Sequence, residues 1–211
     1  MQGKEAQTGR GPTAESLQTE VKSRGRPAAA SREDVLGAGL HRYLRGQRVD
    51  VQAIASELGL GRATIYRWFG SREKLLGEVI INATEPVLAK ARSGLAGKGG
   101  PGLLDTFDRF NRALADAPAL SAFVEQERDA SLRIIASGAS IVQQRIVELI
   151  TGMIAEEAEA GNYEPPVEPS VLGFAIVKLA QAFLFNDAVV GIRGDVDRLR
   201  EVEAALLGVP A

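Results

Sequence analysis

The sequence predicts an all-α protein of about nine helices: an N-terminal three-helix module built on a helix-turn-helix, followed by a larger helical region. Three observations carry that expectation. No stretch alternates apolar and polar residues as a half-buried strand would. Residues Val51 to Phe69 read as two short amphipathic helices broken at Gly59, with Ile54, Ala55 and Leu58 on one face of the first and Ile65 and Phe69 on one face of the second. Beyond residue 100, long apolar segments at helical spacing are separated by glycine and proline.

The elements follow in order. Residues 1–30 lack periodicity and are rich in Gly, Ser, Thr, Pro, Ala and charge, which predicts a disordered basic arm. Ser31 is the N-cap of the first helix, and Glu33 and Asp34 in its first turn suit the positive end of the helix dipole. Val35, Leu36, Gly39, Leu40, Tyr43 and Leu44 form its inner face, and Gly46 stops it. Asp50 caps the second helix, Gly61 starts the third, and Ser71 caps a long fourth helix reaching about Arg92, where Pro86 predicts a kink or a restart. Gly94 to Gly102 holds five glycines and a proline and reads as a flexible connection. Helices follow at Leu103–Ala115, from Pro118, at Ser140–Ala160, Ser170–Val190 and Val196–Leu207, with Pro165, Pro166 and Pro169 marking a loop. The expected domains are the arm (1–30), a helix-turn-helix domain (31–78) and a ligand-binding and dimerisation domain (79–211).

Composition removes several function classes. The 211 residues contain no cysteine and a single histidine, His41, which excludes disulfides, thiol nucleophiles and thiolate or histidine metal sites. No catalytic set, metal or cofactor is therefore expected, and His41 reads as a surface residue. Adjacent or alternate acids such as Glu125/Glu127 and Glu156/Glu157/Glu159 point apart on a helix and read as solvated. No N-terminal apolar signal is visible, and the apolar run Val171–Ile192 carries Lys178, Gln181, Asn186 and Asp187, so it reads as a core helix, not a membrane span. A cytoplasmic location without membrane association is expected. Net charge is −2, but residues 22–80 hold 11 Lys/Arg against 6 Asp/Glu while residues 81–211 hold 12 against 18. A basic module joined to an acidic one is what phosphate binding at one end requires.

In a helix-turn-helix the first turn of the second helix meets base edges in the major groove. That turn holds Arg62, Ala63 and Thr64. Arg62 is the leading base reader, because guanine offers O6 and N7 to a guanidinium fork, and Ala63 and Thr64 suit a thymine methyl. Arg67 suits either a base or a phosphate. Upstream, Lys22-Ser23-Arg24-Gly25-Arg26-Pro27 places Arg24 and Arg26 around a glycine, as in an AT-hook fitted to the minor groove. The alternative is a basic tail that gives only nonspecific attraction.

The helix Ser170–Val190 is apolar nearly all round and must bury more than one face. Its small-residue stripe, Val171, Ala175, Leu179, Ala182 and Asn186, is expected at a two-fold dimer contact. Its larger stripe, Phe174, Lys178, Gln181 and Phe185, is expected to face the protomer interior.

The run Thr64-Ile65-Tyr66-Arg67-Trp68-Phe69-Gly70-Ser71-Arg72-Glu73-Lys74-Leu75-Leu76, with Ile54-Ala55-Ser56-Glu57-Leu58-Gly59 before it, resembles the signature of TetR-type transcriptional regulators over about 50 residues. The segment Ala175-Ile176-Val177-Lys178-Leu179-Ala180-Gln181-Ala182-Phe183-Leu184-Phe185, followed by Asp187, resembles the QsdR-type branch, which controls quorum-signal lactone degradation. The resemblance implies that Gln52 also reaches bases and that Tyr66, Trp68 and Arg72 contact phosphates. It implies a dimer on a palindromic operator, closed by the last two helices, acting as a repressor. A small amphipathic or apolar effector, such as a lactone or fatty-acyl compound, would release it. It also implies a pocket walled by Phe107, Phe110, Phe123, Ile146, Leu149, Phe174 and Phe185, with Lys178 and Gln181 as polar anchors. The competing reading makes these phenylalanines plain core and pairs Lys178 with Glu125 or Glu127. Two positions depart from the family pattern: Arg42 stands where the first helix is usually apolar, and Arg72 replaces a lysine. The rival function is an all-α acyl-ligand carrier that binds no specific DNA sequence.

Overall fold

The computed structural model describes residues 30–93, 98–185 and 195–211, which are helical with no strand among them. The described residues form ten helices: α1 (Arg32–Leu44), α2 (Val51–Leu58), α3 (Arg62–Phe69), α4 (Arg72–Ser93), α5 (Gly99–Ala115), α6 (Pro118–Gln126), α7 (Arg128–Ala136), α8 (Ile141–Glu159), α9 (Pro169–Phe185) and α10 (Val196–Leu207). The count exceeds nine because the segment opening at Pro118 is two helices that break at Glu127.

The starts of the N-terminal helices are set by local hydrogen bonds that the sequence encodes. Ser31 and Asp34 form a reciprocal capping box at α1. The Asp50 carboxylate accepts from the Ala53 N–H at 2.7 Å, and the Ser71 hydroxyl accepts from the Lys74 N–H at 3.1 Å. Between α2 and α3, Gly59 takes φ +64°, a left-handed conformation that a side chain would resist. Pro86 does not restart α4, which runs unbroken through it. The four-residue run Gly99–Gly102 opens α5 rather than linking to it. A Cβ on Gly100 would lie 2.5 Å from Val209 and 3.0 Å from the Tyr163 ring, so glycine here serves close packing. Tyr163 closes that corner by donating to the Leu207 carbonyl at 2.8 Å.

Two hydrophobic cores form. The first joins α1–α3 and the start of α4 to Leu120 and Phe123 of α6, Ile134 and Ile135 of α7, and Val142 of α8. The second gathers Leu88 and Ala91 of α4 with α5, α8, α9 and α10. Leu75, Leu76, Val79 and Ile80 place α4 in the first core as well, so α4 spans both, as α8 does through Val142 and Ile150. Leu44, expected inside, is 60% exposed at the end of α1, while Tyr43 is the residue buried there against Phe123. His41 is exposed. Among the described residues no helix is long and apolar enough to cross a membrane.

The most extensive helix contact is α8 against α9. It is set by Gly173, where a Cβ would fall on the Thr151 hydroxyl and within 3.1 Å of the Thr151 backbone. Gly152, the next residue on α8, has open space where its Cβ would lie. Gly173→Ala is therefore expected to destabilise by about 1–3 kcal/mol through overpacking. Gly152→Ala is expected to stabilise by roughly 0.5–1 kcal/mol through helix propensity. Urea unfolding of the two variants checks the opposite signs.

Candidate nucleic-acid interface and internal cavity

α3 is held from below and presented from above. Ile65 and Phe69 are buried, and the Arg32 guanidinium sits 4.5 Å over the Phe69 ring while reaching both Glu78 carboxylate oxygens at 2.6 Å. That cation joins the start of α1, the end of α3 and the middle of α4. On the other side Gln52, Arg62, Ala63, Tyr66 and Arg67 are exposed, and Thr64 and Trp68 are half-buried. Trp68 packs against the first core, so its ring is partly structural. Arg24 and Arg26 lie outside the described residues. Arg42, the atypical residue of α1, is accommodated by an ion pair with Glu57 of α2 at 2.6 Å.

Arg72, expected at phosphate, is turned inward. It meets Glu127 at 2.5 Å and 3.2 Å and the Val49 carbonyl at 3.4 Å. Arg48 reaches the same carboxylate at 3.2 Å. The physical reason is the burial of Glu127, which is 9% exposed at the α6–α7 break and would be costly without a cation. Arg72's hydrogen bonds, followed by Arg48's, hold the Glu127 carboxyl below the usual carboxylate range against the opposing effect of burial.

An internal cavity of about 60 Å³ lies among α4–α10. Phe107, Phe110, Ile146, Gln181 and Phe185 line it, together with residues the sequence reading did not include: Ile80, Thr84, Asn111, Ile135, Ile176, Val177, Ala180 and Glu203. Glu203 is fully buried. Its Oε1 accepts from the Asn111 side-chain amide at 3.0 Å, while its Oε2 has no partner among the described residues. Burial pushes its carboxyl up to about 8. The signal was present in the sequence: Glu203 interrupts Leu199 and Leu207 at i, i+4, i+8 on the buried face of α10.

Four expected cavity residues lie elsewhere. Phe123 belongs to the first core beside Tyr43. Leu149 packs on the second core outside the cavity wall. Phe174 is 48% exposed, because α9 turns Leu172, Gly173, Ile176 and Val177 inward at the α8 crossing. Lys178 bonds to the Ala136 carbonyl at 2.7 Å, to Gln143 Oε1 and to Gln181 Oε1 at 3.3 Å. It thereby fastens α9 to the end of α7 and to α8, rather than pairing with Glu125 or Glu127. Partial burial lowers its pKa. Phe174 joins Val171 (57% exposed) and the partly exposed Ala175, Leu179 and Ala182 on the outer face of α9; Asn186 lies outside the described residues.

Comparison with known proteins gives two family matches. The profile described as "Bacterial regulatory proteins, tetR family" matches residues 45–79, and "Tetracyclin repressor-like, C-terminal domain" matches residues 98–208. Among solved structures, the R. erythropolis transcriptional repressor QsdR from the TetR family is 28% identical with a TM-score of 0.77, covering 85% of this chain and 95% of that one. The TetR family repressor AlkX from Dietzia sp., implicated in biodegradation of n-alkanes, is 22% identical with a TM-score of 0.58, covering 85% and 96%. No curated protein matches the sequence.

The two buried carboxyls predict opposite pH behaviour. Glu127, shifted down, contributes stability above the unfolded carboxylate value that is lost as pH falls through its folded value. Glu203, shifted up, contributes stability that is full below the unfolded value and is lost as pH rises toward 8. Glu127→Gln is expected to lose about 2 kcal/mol at pH 7 and to converge with wild type in acid. Glu203→Gln is expected to gain roughly 1–3 kcal/mol at pH 8 and to converge near pH 4.5. Thermal unfolding from pH 4 to 9 reads both.

Proposed function

The chain belongs to the TetR family of bacterial regulators, and from that premise we propose that it is a ligand-responsive repressor which binds a palindromic operator as a dimer. The observation that carries the reading is the pairing of the first turn of α3, with Arg62 and Ala63 exposed and Thr64 half-buried over its own core, with a largely apolar internal cavity reached by the long helix α4. Residues 31–78 act as the DNA-binding domain and 79–211 as the effector and dimerisation domain. The arm 1–30 precedes them.

Arg62 reads a base, with Ala63 and Thr64 beside it and Gln52 flanking. Tyr66, Arg67 and the edge of Trp68 take phosphates, which set register rather than sequence. Arg72 acts chiefly through Glu127. Two such modules sit one DNA turn apart when protomers meet through the outer face of α9 with α10, where Val171, Phe174 and Val202 expose apolar surface.

The effector is a small amphipathic or apolar molecule of the lactone or fatty-acyl kind, which the apolar lining around Phe107, Phe110, Ile146 and Phe185 supports. The narrow cavity must widen to hold it, so binding favours a state in which its walls have moved apart. Those walls include Leu120 of α6 and Ile135 of α7, and the break between these helices carries Glu127, which grips Arg48 and Arg72 of the DNA module. Displacing α6 and α7 therefore shifts both DNA modules off their half-sites. That is the coupling between the two sites.

An operator selected from random duplexes tests the reading by fluorescence anisotropy. Arg62→Ala is expected to lose about 1–3 kcal/mol at one base position and to relax specificity there, whereas Arg67→Ala weakens all sequences and flattens the salt slope. Failure to enrich any sequence would leave the acyl-ligand carrier as the better account. The double variant Val171→Glu/Phe174→Glu is expected to sediment as a monomer and to lose tight operator binding. A variant that stays dimeric would remove α9 from the interface.

A further inference from the structure

The cavity wall is apolar except at Thr84, Asn111, Gln181 and Glu203. Gln181 is already engaged, donating to the Ile135 carbonyl at 3.2 Å and accepting from Lys178. Glu203 is not. Its Oε1 is taken by Asn111, itself buried and also part of the wall, and its Oε2 is buried without a partner among the described residues. A fully buried carboxyl oxygen left in that state is unfavourable and calls for an occupant.

The charges nearby do not supply one. Arg200, one turn away on α10, is held by Asp105 at 2.8 Å and Asp108 at 3.7 Å. Arg112 of α5 is spread over Asp108 and Asp197. Lys178 of α9 is fixed on Ala136 and Gln143. The wall residues from α4, α6, α7 and α8 carry no charge.

We propose that Glu203 and Asn111 form the head-group reader of this cavity, and that the effector places an uncharged carbonyl oxygen on the free side of the Glu203 carboxyl. The assignment rests on the reading of the cavity as the effector site and names what that site selects. Asn111 donates to Oε1, which makes Oε1 the carbonyl-like oxygen and Oε2 the hydroxyl, a donor in need of an acceptor. Burial pushes this carboxyl up to about 8, so it keeps its proton at neutral pH. A ligand carboxylate would have to leave water for a site whose nearest formal charges beyond the wall are already paired. The alkyl part of the effector then runs along Phe107, Phe110, Ile146 and Ile176.

Three eight-carbon probes of matched length, octan-2-one, octylammonium and octanoate, separate the possibilities by calorimetry on the full chain. Wild type is expected to bind octan-2-one tightest. Glu203→Leu is expected to weaken that binding about tenfold, one hydrogen bond's worth, while Glu203→Gln, which keeps an N–H donor, stays within about twofold. Between pH 7 and 9 the ketone affinity of wild type falls as the carboxyl ionises, and that of Glu203→Gln stays flat. A pure packing role would not produce this pH difference. Tightest binding of octylammonium, or ketone affinity unchanged in Glu203→Leu, overturns the head-group assignment and leaves the cavity reading standing. If none of the three binds to wild type, the cavity reading falls and this inference falls with it.

Discussion

The long helix α4 enters two hydrophobic cores, and the placement of the recognition helix and of the cavity follows from that constraint. Leu75, Leu76, Val79 and Ile80 of α4 are locked into the core that carries the recognition helix, and Leu88 and Ala91 into the core that carries α5, α9 and α10. A close-packed core resists continuous deformation. Neither end of α4 can therefore shift without its own core shifting with it. Ile80 and Thr84, at the middle of the helix, are also cavity wall, so the cavity lies at the point where the two cores meet.

The polar side chains reinforce this division of labour. Arg32 ties α1, α3 and α4 into one body through Phe69 and Glu78. Glu127 ties that body to the α6–α7 break through two arginines. Lys178 ties α9 to the far end of α7 and to α8. Each of these groups satisfies its partners fully enough to hold helices in place. Glu203 is the exception, a residue of the cavity wall with one buried oxygen that lacks a partner among the described residues.

Much of the fold could be read from the sequence because its signals are local. Ser31, Asp50 and Ser71 cap helices through bonds to the next turn, and Ile65 and Phe69 pair at i, i+4, so neither needs knowledge of distant residues. The cavity was legible only in part. α9 is apolar on nearly every side, and periodicity alone does not say which side meets α8. Gly173 decides it by allowing close approach at Thr151, which sends Phe174 outward. Phe123 was misplaced for the same reason: its burial was evident, but which of two cores it joined depends on Tyr43, eighty residues earlier in the chain. The run 99–102 reads as a break because its composition is that of a linker, whereas the small size of Gly100 serves packing against Tyr163 and Val209. The partner of Arg72 was beyond motif spacing, since Glu127 is remote in sequence.

The Gly173–Thr151 crossing has a consequence for how this protein can diversify. Where a helix pair touches through glycine and backbone, nearly any substitution forces the helices apart, so the α8–α9 separation is closed to gradual change. The cavity shares both helices, through Val142, Ile146 and Ile150 on one and Ile176, Val177 and Ala180 on the other. α4 meets α8 just as closely at Gly77, where a Cβ would lie 2.7 Å from Ile141, so a change in cavity shape falls to the size of the wall side chains and not to the spacing of these helices. Diversity would then be written in side chains on a frame whose spacing the glycine crossings hold constant.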